Sequence, residues 1–279
     1  MNTRLGVENL TVGYGGDPVV RDLTLDVPDG AVTTIIGPNG CGKSTLLRTM
    51  ARILTPTAGR VRLDARELHA IPTREVSTLL SLLPQSATAP EGLIVRDLVS
   101  RGRHPHQRWF SQWSPDDEAA VEQALILTDI ADLGERRLDR LSGGQRQRAW
   151  IAVTLAQDTG IMLLDEPTTY LDLAHQVDVL DLVLRLNHER GRTVVMVLHD
   201  LNLAARFSDL VVVMAAGEIA AQGTPEEIFT PALLAEVFGL EAHVITDPGT
   251  GLPIVVPVRS RLTGRTGCVP TLDGAERTA

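Results

Sequence analysis

The residues best suited to chemistry lie in one glycine-rich stretch, GPNGCGKST, at positions 37–45. Four of its residues fit the pattern G-x-x-x-x-G-K-[ST], in which glycines let backbone N–H groups wrap around phosphate oxygens. Lys43 would then reach the β- and γ-phosphates, and the Ser44 hydroxyl would hold Mg²⁺. We therefore predict a cradle for the phosphates of a nucleotide, formed by Gly37, Pro38, Asn39, Gly40, Cys41, Gly42, Lys43, Ser44 and Thr45.

Lys43 is also the only lysine in a chain whose other 25 strongly basic residues are all arginine. Arginine ends in a wide planar fork, whereas lysine ends in a compact point charge on a thin stem. One lysine retained at this position predicts a slot that is too narrow for a guanidinium. Cys41 occupies a free position of the pattern, where a small side chain is all that is expected.

A pair of acids provides the second half of the chemistry. The stretch IMLLDEPT at 161–168 runs from apolar residues into Asp165 and Glu166. Two acids at the end of a strand are common in α/β proteins, so the pair alone indicates little. Beside a phosphate cradle, Asp165 would hold Mg²⁺ through water, and Glu166 would polarise the water that attacks the γ-phosphate.

The elements that must position these residues read as an α/β fold with a parallel sheet. The β-branched run at 31–36 enters the glycine-rich stretch, and a helical pattern follows directly. Strand, loop and helix in this order support the phosphate cradle. Further buried strands alternate with helices, which indicates parallel strands; the strands are predicted at 160–166, 193–200 and 209–215, and the helices at 174–190 and 201–207.

Two additions to this core are predicted. Residues 5–12 and 19–27 alternate apolar and polar, as half-buried antiparallel strands do. Residues 94–130 read as helical, with a Ser-Pro helix start at Ser114. The predicted divisions are a core at 1–85 and 160–257, a helical insert at about 86–159, and a polar, frayed tail at 258–279.

Composition excludes several classes of protein. The formal net charge of −9 argues against a nucleic-acid-binding module. Cys41 and Cys268 lie far apart, which is no disulfide framework and fits a reducing compartment. No apolar run approaches the roughly 20 residues that span a bilayer. We expect a soluble protein, or one held at a membrane through something else.

The stretch LSGGQRQR at 141–148, together with the two motifs above, resembles the nucleotide-binding subunit of an ABC transporter over residues 5–257. The motifs follow the family's order and spacing. The resemblance implies a P-loop NTPase with a RecA-like sheet that uses ATP and Mg²⁺. It also implies that two subunits pack head to tail, so that each ATP lies between the Lys43 loop of one chain and a second set of residues in the other, namely Ser142, Gly143, Gly144 and Gln145.

Four further roles are carried over from the family by position. Tyr14 matches the aromatic that stacks on adenine, although it could simply be a packed strand residue. Gln85 matches the glutamine that meets Mg²⁺ and the attacking water and senses the membrane partner. Asp172 matches the acid of the loop that crosses the dimer interface. His199 matches the histidine that contacts the γ-phosphate, so the expected catalytic set is Glu166, His199, Gln85 and Lys43.

The kind of transporter follows partly from what the sequence lacks. It has room for one cassette, shows no heptad run and carries no membrane helices, so a separate importer subunit is expected. The stretches at 102–110 and 166–176 resemble the ATPases of siderophore, haem and vitamin B12 importers. We predict import of ferric siderophores at the cytoplasmic face of the membrane, with membrane permease subunits and, indirectly, an extracytoplasmic substrate-binding protein as partners. A haem or vitamin B12 importer, or a soluble ABC ATPase outside transport, remains the alternative.

One polar stretch carries an unusual share of the nine aromatic residues of the chain. Trp109, Phe110 and Trp113 fall within five positions, and basic residues precede them. Aromatics beside arginine often anchor interfaces, so we predict that this stretch contacts the permease. The alternative is that the rings fold back onto the helical insert. The neighbouring basic residues are Arg103, His104, His106 and Arg108.

Overall fold

The computed structural model describes residues 3–107 and 113–260. The strands that it contains are β1 (Thr3–Val12), β2 (Val20–Pro28), β3 (Val32–Ile36), β4 (Ala58–Leu63), β5 (Arg66–Glu67), β6 (Leu80–Leu83), β7 (Ile161–Asp165), β8 (Thr193–Val197), β9 (Leu210–Ala215), β10 (Glu218–Gly223), β11 (Leu240–Thr246) and β12 (Pro253–Ser260). The helices are α1 (Lys43–Met50), α2 (Thr73–Leu79), α3 (Val95–Ser100), α4 (Pro115–Leu127), α5 (Gly143–Ala156), α6 (Leu173–Arg190), α7 (Leu201–Arg206), α8 (Pro225–Ile228) and α9 (Pro231–Phe238).

A six-stranded sheet in the order β10-β9-β3-β8-β7-β6 forms the centre of the fold. All of its strand pairs are parallel except β10 with β9. Strands β3, β7 and β8 are buried along their whole length, as expected for apolar runs covered on both faces. The carboxyl ends of β3 and β7 therefore bring the glycine-rich stretch and the acid pair to the same edge of the sheet, which confirms the predicted α/β core.

A second sheet, in the order β2-β1-β4-β5, forms the amino-terminal antiparallel subdomain. Strand β2 alternates buried and exposed side chains, and its buried ones pack on the same apolar cluster as α1. This cluster covers one face of the six-stranded sheet, and a second cluster on the other face includes residues of the helical insert. Cys41 of the glycine-rich loop belongs to the first cluster, which attaches the loop to the core.

The insert consists of α3, α4 and α5. Helix α4 begins at the predicted place: the Ser114 hydroxyl accepts from the Asp117 N–H at 3.1 Å, and the Asp117 carboxylate accepts from the Ser114 N–H, also at 3.1 Å. This reciprocal pair satisfies N–H groups that would otherwise lack partners at a helix start. No helix in the part of the chain that the structure describes has the length and hydropathy to cross a membrane.

The structure differs from the sequence-based picture at two places. Strand β12 pairs with β11 as far as Ser260, so regular structure continues past position 258, where the polar tail was predicted to begin. Arg103 is buried against Asp117, and the His106 ring contacts the carbonyl of Gln157, so neither side chain is a free interface group. The predictions for Arg108, Trp109, Phe110 and Cys268 concern positions outside the described residues.

Candidate active site

The glycine-rich loop leaves the end of β3 and turns directly into α1. At Gly37 a side chain is impossible, because a Cβ atom would lie 2.2 Å from the carbonyl oxygen of Met214. Gly40 and Gly42 have positive φ angles of 78° and 106°, a region that glycine occupies without steric cost. The backbone thereby closes into a concave loop at the amino-terminal end of α1, where N–H groups and the helix dipole favour an anion.

Lys43 lies deep in this loop with 5% of its surface exposed. Its Nζ donates to the carbonyl oxygens of Gly37 and Pro38, each at 2.9 Å. The Cys41 sulfur, which is itself buried, lies 3.9 Å from the same nitrogen. Burial raises the pKa of the Cys41 thiol, and the charge of Lys43 offsets this in part. The thiol therefore fills space beside the ammonium, and a planar guanidinium would collide with this wall.

Ser44 and Asp165 are joined at the base of the loop, where the Ser44 hydroxyl donates to Asp165 Oδ1 at 2.8 Å. Asp165 is fully buried, and its Oδ2 has no hydrogen-bond partner although Arg48 Nε lies 3.9 Å away. Burial raises the pKa of Asp165, and the Ser44 hydrogen bond and the Arg48 charge counteract that rise. An uncompensated carboxylate oxygen beside a hydroxyl could hold a cation.

Such a cation would have few protein ligands. Among residues 3–107 and 113–260, no group of three or more histidine, cysteine, aspartate and glutamate side chains could hold a metal ion. Magnesium in phosphate sites is commonly held by one or two protein oxygens, waters and the phosphates themselves. The donor set of Ser44 and Asp165 fits that pattern and does not fit a structural metal site.

Glu166 follows Asp165 and faces the cleft in a strained conformation. Its φ angle of 55° is unusual for a residue with a side chain, and such strain is commonly found at functional sites. His199 Nε2 lies 2.5 Å from Glu166 Oε1, and the Thr169 hydroxyl donates to Oε2 at 3.1 Å. Partial burial alone would raise the pKa of Glu166, but hydrogen bonds from His199, Gln85 and Thr169 together lower it. Glu166 is therefore a carboxylate at neutral pH and able to act as a base.

The predicted phosphate, cation and base residues meet in one open cleft of about 720 Å³, which is lined by Val19, Asn39, Gly40, Gly42, Lys43, Ser44, Thr45, Gln85, Glu166 and His199. Tyr14 lies at its mouth, where its hydroxyl is 3.3 Å from Thr45 Oγ1 and 60% of its surface is exposed. Val19 and Thr169 were not predicted, because an isolated valine or threonine carries no motif. Val19 is identified by its place in the cleft, and Thr169 by its contact with Glu166 across a turn.

The amino-terminal end of α5 lies outside this cleft. The Ser142 hydroxyl accepts from the Gln145 N–H at 3.2 Å, and the Gln145 side chain accepts from the Ser142 N–H at 3.1 Å. Gly143 and Gly144 lie against Tyr170 and Leu171. Residues 142–145 are not among the described residues that line the cleft, so the cleft and the amino-terminal end of α5 are separate places on one chain.

Asp172 lies next to the amino-terminal end of α5 and caps α6. Its Oδ1 accepts from the His175 N–H at 3.0 Å and lies 2.7 Å from His175 Nδ1. The backbone hydrogen bond and then the ring of His175 lower the pKa of Asp172. The side chain is exposed, which leaves it accessible to another molecule.

Comparisons with known proteins agree with this geometry. A family model described as ABC transporter matches residues 20–169. The chain is 51% identical over 255 residues to the ferric enterobactin transport ATP-binding protein FepC of Escherichia coli (strain K12), covering 91% of this chain and 94% of that one. It is 50% identical over 257 residues to the petrobactin import ATP-binding protein FpuD of Bacillus anthracis, covering 92% and 94%. A dimeric structure of a bacterial ABC transporter cassette superposes with a TM-score of 0.72 at 27% identity, covering 79% of this chain and 98% of that one.

Proposed function

The chain belongs to the ABC transporter family, and on that premise we propose that it is the ATP-hydrolysing subunit of a ferric siderophore importer. We infer the cargo from sequence identity. The chain is about one half identical, over nine-tenths of its length, to two subunits named for ferric enterobactin and petrobactin. The cleft supports the chemistry, because it combines a phosphate loop, a buried acid beside a hydroxyl, and a carboxylate base.

In this proposal the loop at 37–45 holds the β- and γ-phosphates with backbone N–H groups, and Lys43 exchanges its two carbonyl partners for phosphate oxygens. Tyr14 stacks on the adenine at the mouth of the cleft, where its exposed ring is available. Asp165, Ser44 and Gln85 would hold Mg²⁺, and the Asp165 Oδ2 atom, which has no hydrogen-bond partner, supports this assignment. When bound, the ion neutralises negative charge that develops on the phosphates.

Hydrolysis depends on Glu166. Its carboxylate accepts a hydrogen bond from the attacking water, orients it toward the γ-phosphorus and takes up its proton. The hydrogen bonds that hold the carboxylate, from His199, Gln85 and Thr169, fix its direction. His199 lines the cleft beside Glu166, where its ring can also reach the γ-phosphate. As the bond between the γ-phosphorus and the bridging oxygen breaks, Lys43 stabilises the negative charge that passes to the β-phosphate of the departing ADP.

Two copies of the chain are required to complete each site. The amino-terminal end of α5 offers N–H groups and a positive helix dipole to an anion, but it lies outside the cleft of its own chain. We assign Ser142, Gly143, Gly144 and Gln145 to the γ-phosphate of the partner subunit, in a head-to-tail dimer with the Asp172 loop at its centre. The similarity to a dimeric cassette supports this arrangement.

The dimer would act at the cytoplasmic face of the membrane on separate permease subunits. A substrate-binding protein on the other side would deliver the cargo, which never contacts the ATPase. The prediction that Trp109 and Phe110 contact the permease belongs to this assembly and still awaits a test.

Uptake measurements test the cargo. Cells that lack this chain but keep the permease should lose uptake of ⁵⁵Fe-siderophore, and the wild-type chain should restore it where Glu166→Gln does not. Ferric siderophore uptake at the parental rate would overturn the proposal. Selective loss of haem or vitamin B12 uptake would reassign the cargo, and a chain that never pellets with membranes containing the permease would indicate a soluble ATPase.

A further inference from the structure

Four polar side chains at the carboxyl end of α5 form a closed ring that the proposed function does not use. The ring consists of Arg74, Arg103, His106 and Gln157. Each of its hydrogen bonds runs from a side chain to a backbone carbonyl, and together they join three segments: α2, the loop at 103–107 and the end of α5. The first two segments belong to different subdomains.

The ring can be followed in one direction. Arg74 on α2 donates to the carbonyl oxygen of Pro105 at 3.1 Å and to that of Gln107. From the loop, Arg103 donates to the carbonyl oxygen of Ala156 at 2.8 Å, and His106 Nε2 lies 2.7 Å from that of Gln157.

The Gln157 amide closes the ring on the core. It donates to the carbonyl oxygens of Ser77 at 2.7 Å and Leu80 at 3.2 Å, which lie near the end of α2 and at the start of β6. The last carbonyls of a helix have no partners within it. Here Gln157 at the end of α5 satisfies a late carbonyl of α2, and Arg103 and His106 of the loop satisfy the last carbonyls of α5.

Close packing shows that the loop is fitted to α5. A Cβ atom on Gly102 would lie 2.4 Å from the carbonyl oxygen of Val153, so only glycine lets the loop approach this closely. Arg103 is 8% exposed, and Asp117 balances its charge through a contact of 2.8 Å. The loop is therefore fixed in place by burial as well as by hydrogen bonds.

The chain segment that leads from the core into the insert has no regular secondary structure. Residues 84–93, which include Gln85, form neither helix nor strand. The apolar packing beneath the insert is extensive, but apolar contact is non-directional and allows sliding. Near the Ser142 end of α5, Gln147 donates one hydrogen bond to the carbonyl oxygen of Pro167 on the core, at 3.1 Å. The ring attaches the other end of the helix through several hydrogen bonds, and Ser142 lies roughly 20 Å away from it at 1.5 Å per residue.

We propose that the polar ring is the pivot of the helical insert and that Gln157 and Arg74 are positioning residues for Ser142. The ring holds one end of α5 on the core while the other end swings to meet the partner's nucleotide. Breaking the ring leaves the Lys43 loop intact, because that loop is built on the core, but makes the position of Ser142 less defined. This inference rests on the head-to-tail dimer of the proposed function.

The test uses Glu166→Gln as the parent, so that hydrolysis does not interfere. Gln157→Leu and Arg74→Met each remove ring donors, and Arg74 is exposed, so its replacement should not prevent folding. Sedimentation should show that each variant needs at least tenfold more ATP for half-maximal dimer. Binding of a fluorescent ATP analogue to dilute monomer should stay within twofold. The double variant should be no worse than the singles, because one break opens the ring.

Matched controls come from the same insert. Gln123→Leu removes an exposed glutamine of α4, and His104→Ala removes an exposed histidine beside His106; both should dimerise like the parent. Ring variants that melt at a lower temperature but dimerise at the parental ATP concentration would overturn the pivot and leave a merely stabilising ring. A parent that never dimerises with ATP would instead refute the proposed dimer.

Discussion

Lys43 shows how a single side chain can be selected by shape rather than by charge. Its ammonium donates hydrogen bonds to two carbonyl oxygens at 2.9 Å and lies beside the buried thiol of Cys41. We predict that Lys43→Arg lowers the kcat/KM of ATP hydrolysis by at least about 100-fold, the scale of losing one well-placed charge donor. The guanidinium would collide with the loop or be displaced from the phosphates. Steady-state phosphate release measures this.

The matched control is Arg101→Lys, which makes the reverse exchange at an exposed position and should leave hydrolysis unchanged. If Lys43→Arg hydrolyses ATP within a few-fold of wild type, the slot is wide enough for either cation and the argument from shape is wrong.

Individual residues also show which parts of the candidate site could be predicted from the sequence and which could not. Lys43, Ser44, Asp165 and Glu166 belong to spaced motifs, and the structure brings all four together. Thr169 orients Glu166 through a hydroxyl, a role that depends on the turn between them and has no sequence signal. Arg103 was expected at a surface because arginine is usually exposed. Its burial depends on Asp117, 14 positions away, and that pairing could not be read from the sequence.

At the scale of elements, the buried pair of Arg103 and Asp117 joins the loop at 103–107 to the start of α4. Burial tends to raise the pKa of Asp117, but hydrogen bonds from Arg103 and Ser114 outweigh it, and the net pKa lies below the ordinary 3.8. Because the folded-state pKa is depressed, the pair contributes stability above the unfolded pKa and loses it as the pH falls through the folded pKa.

We predict that Asp117→Asn at pH 7 lowers the free energy of unfolding by about 3 kcal/mol, because it leaves a buried guanidinium without a counter-charge. The difference from wild type should shrink as the pH falls below about 4. Urea unfolding at a series of pH values measures it. Asp116→Asn, an exposed neighbour in the same helical turn, is the control, and a pH-independent difference would contradict the ion-pair explanation.

Elements with strong periodicity were predicted well, and those with weak periodicity were missed. The buried strands β3, β7 and β9 and helix α6 lie within one residue of their predicted bounds, and β8 ends three residues before its predicted end. The hairpin of β11 and β12 was not predicted, because several of its apolar side chains, including Ile245, Val256 and Val258, are exposed. Its strands are stabilised by pairing with each other and by contact with α7 and α9, neither of which a local pattern reveals.

At the scale of the whole molecule, the proposed dimer joins two regions that lie apart on one chain, the cleft at Lys43 and the helix start at Ser142. In the proposal these regions are the two half-sites of one ATP site, since backbone N–H groups at a helix start favour an anion. The family resemblance implied this division from sequence, and the cap geometry at Ser142 fits it. The relative position of the half-sites could not be predicted, because it depends on how the insert packs on the sheet.

The most direct measurement is sedimentation of the Glu166→Gln chain with saturating ATP and Mg²⁺, compared with ADP and with the Ser142→Asp variant in the same background. Aspartate caps helices as well as serine does, so α5 should persist while its charge repels the γ-phosphate. The account predicts a dimer for Glu166→Gln with ATP, monomer with ADP, and monomer for the Ser142→Asp variant with either nucleotide. A Glu166→Gln chain that stays monomeric with ATP, or a Ser142→Asp variant that dimerises equally well, would contradict it.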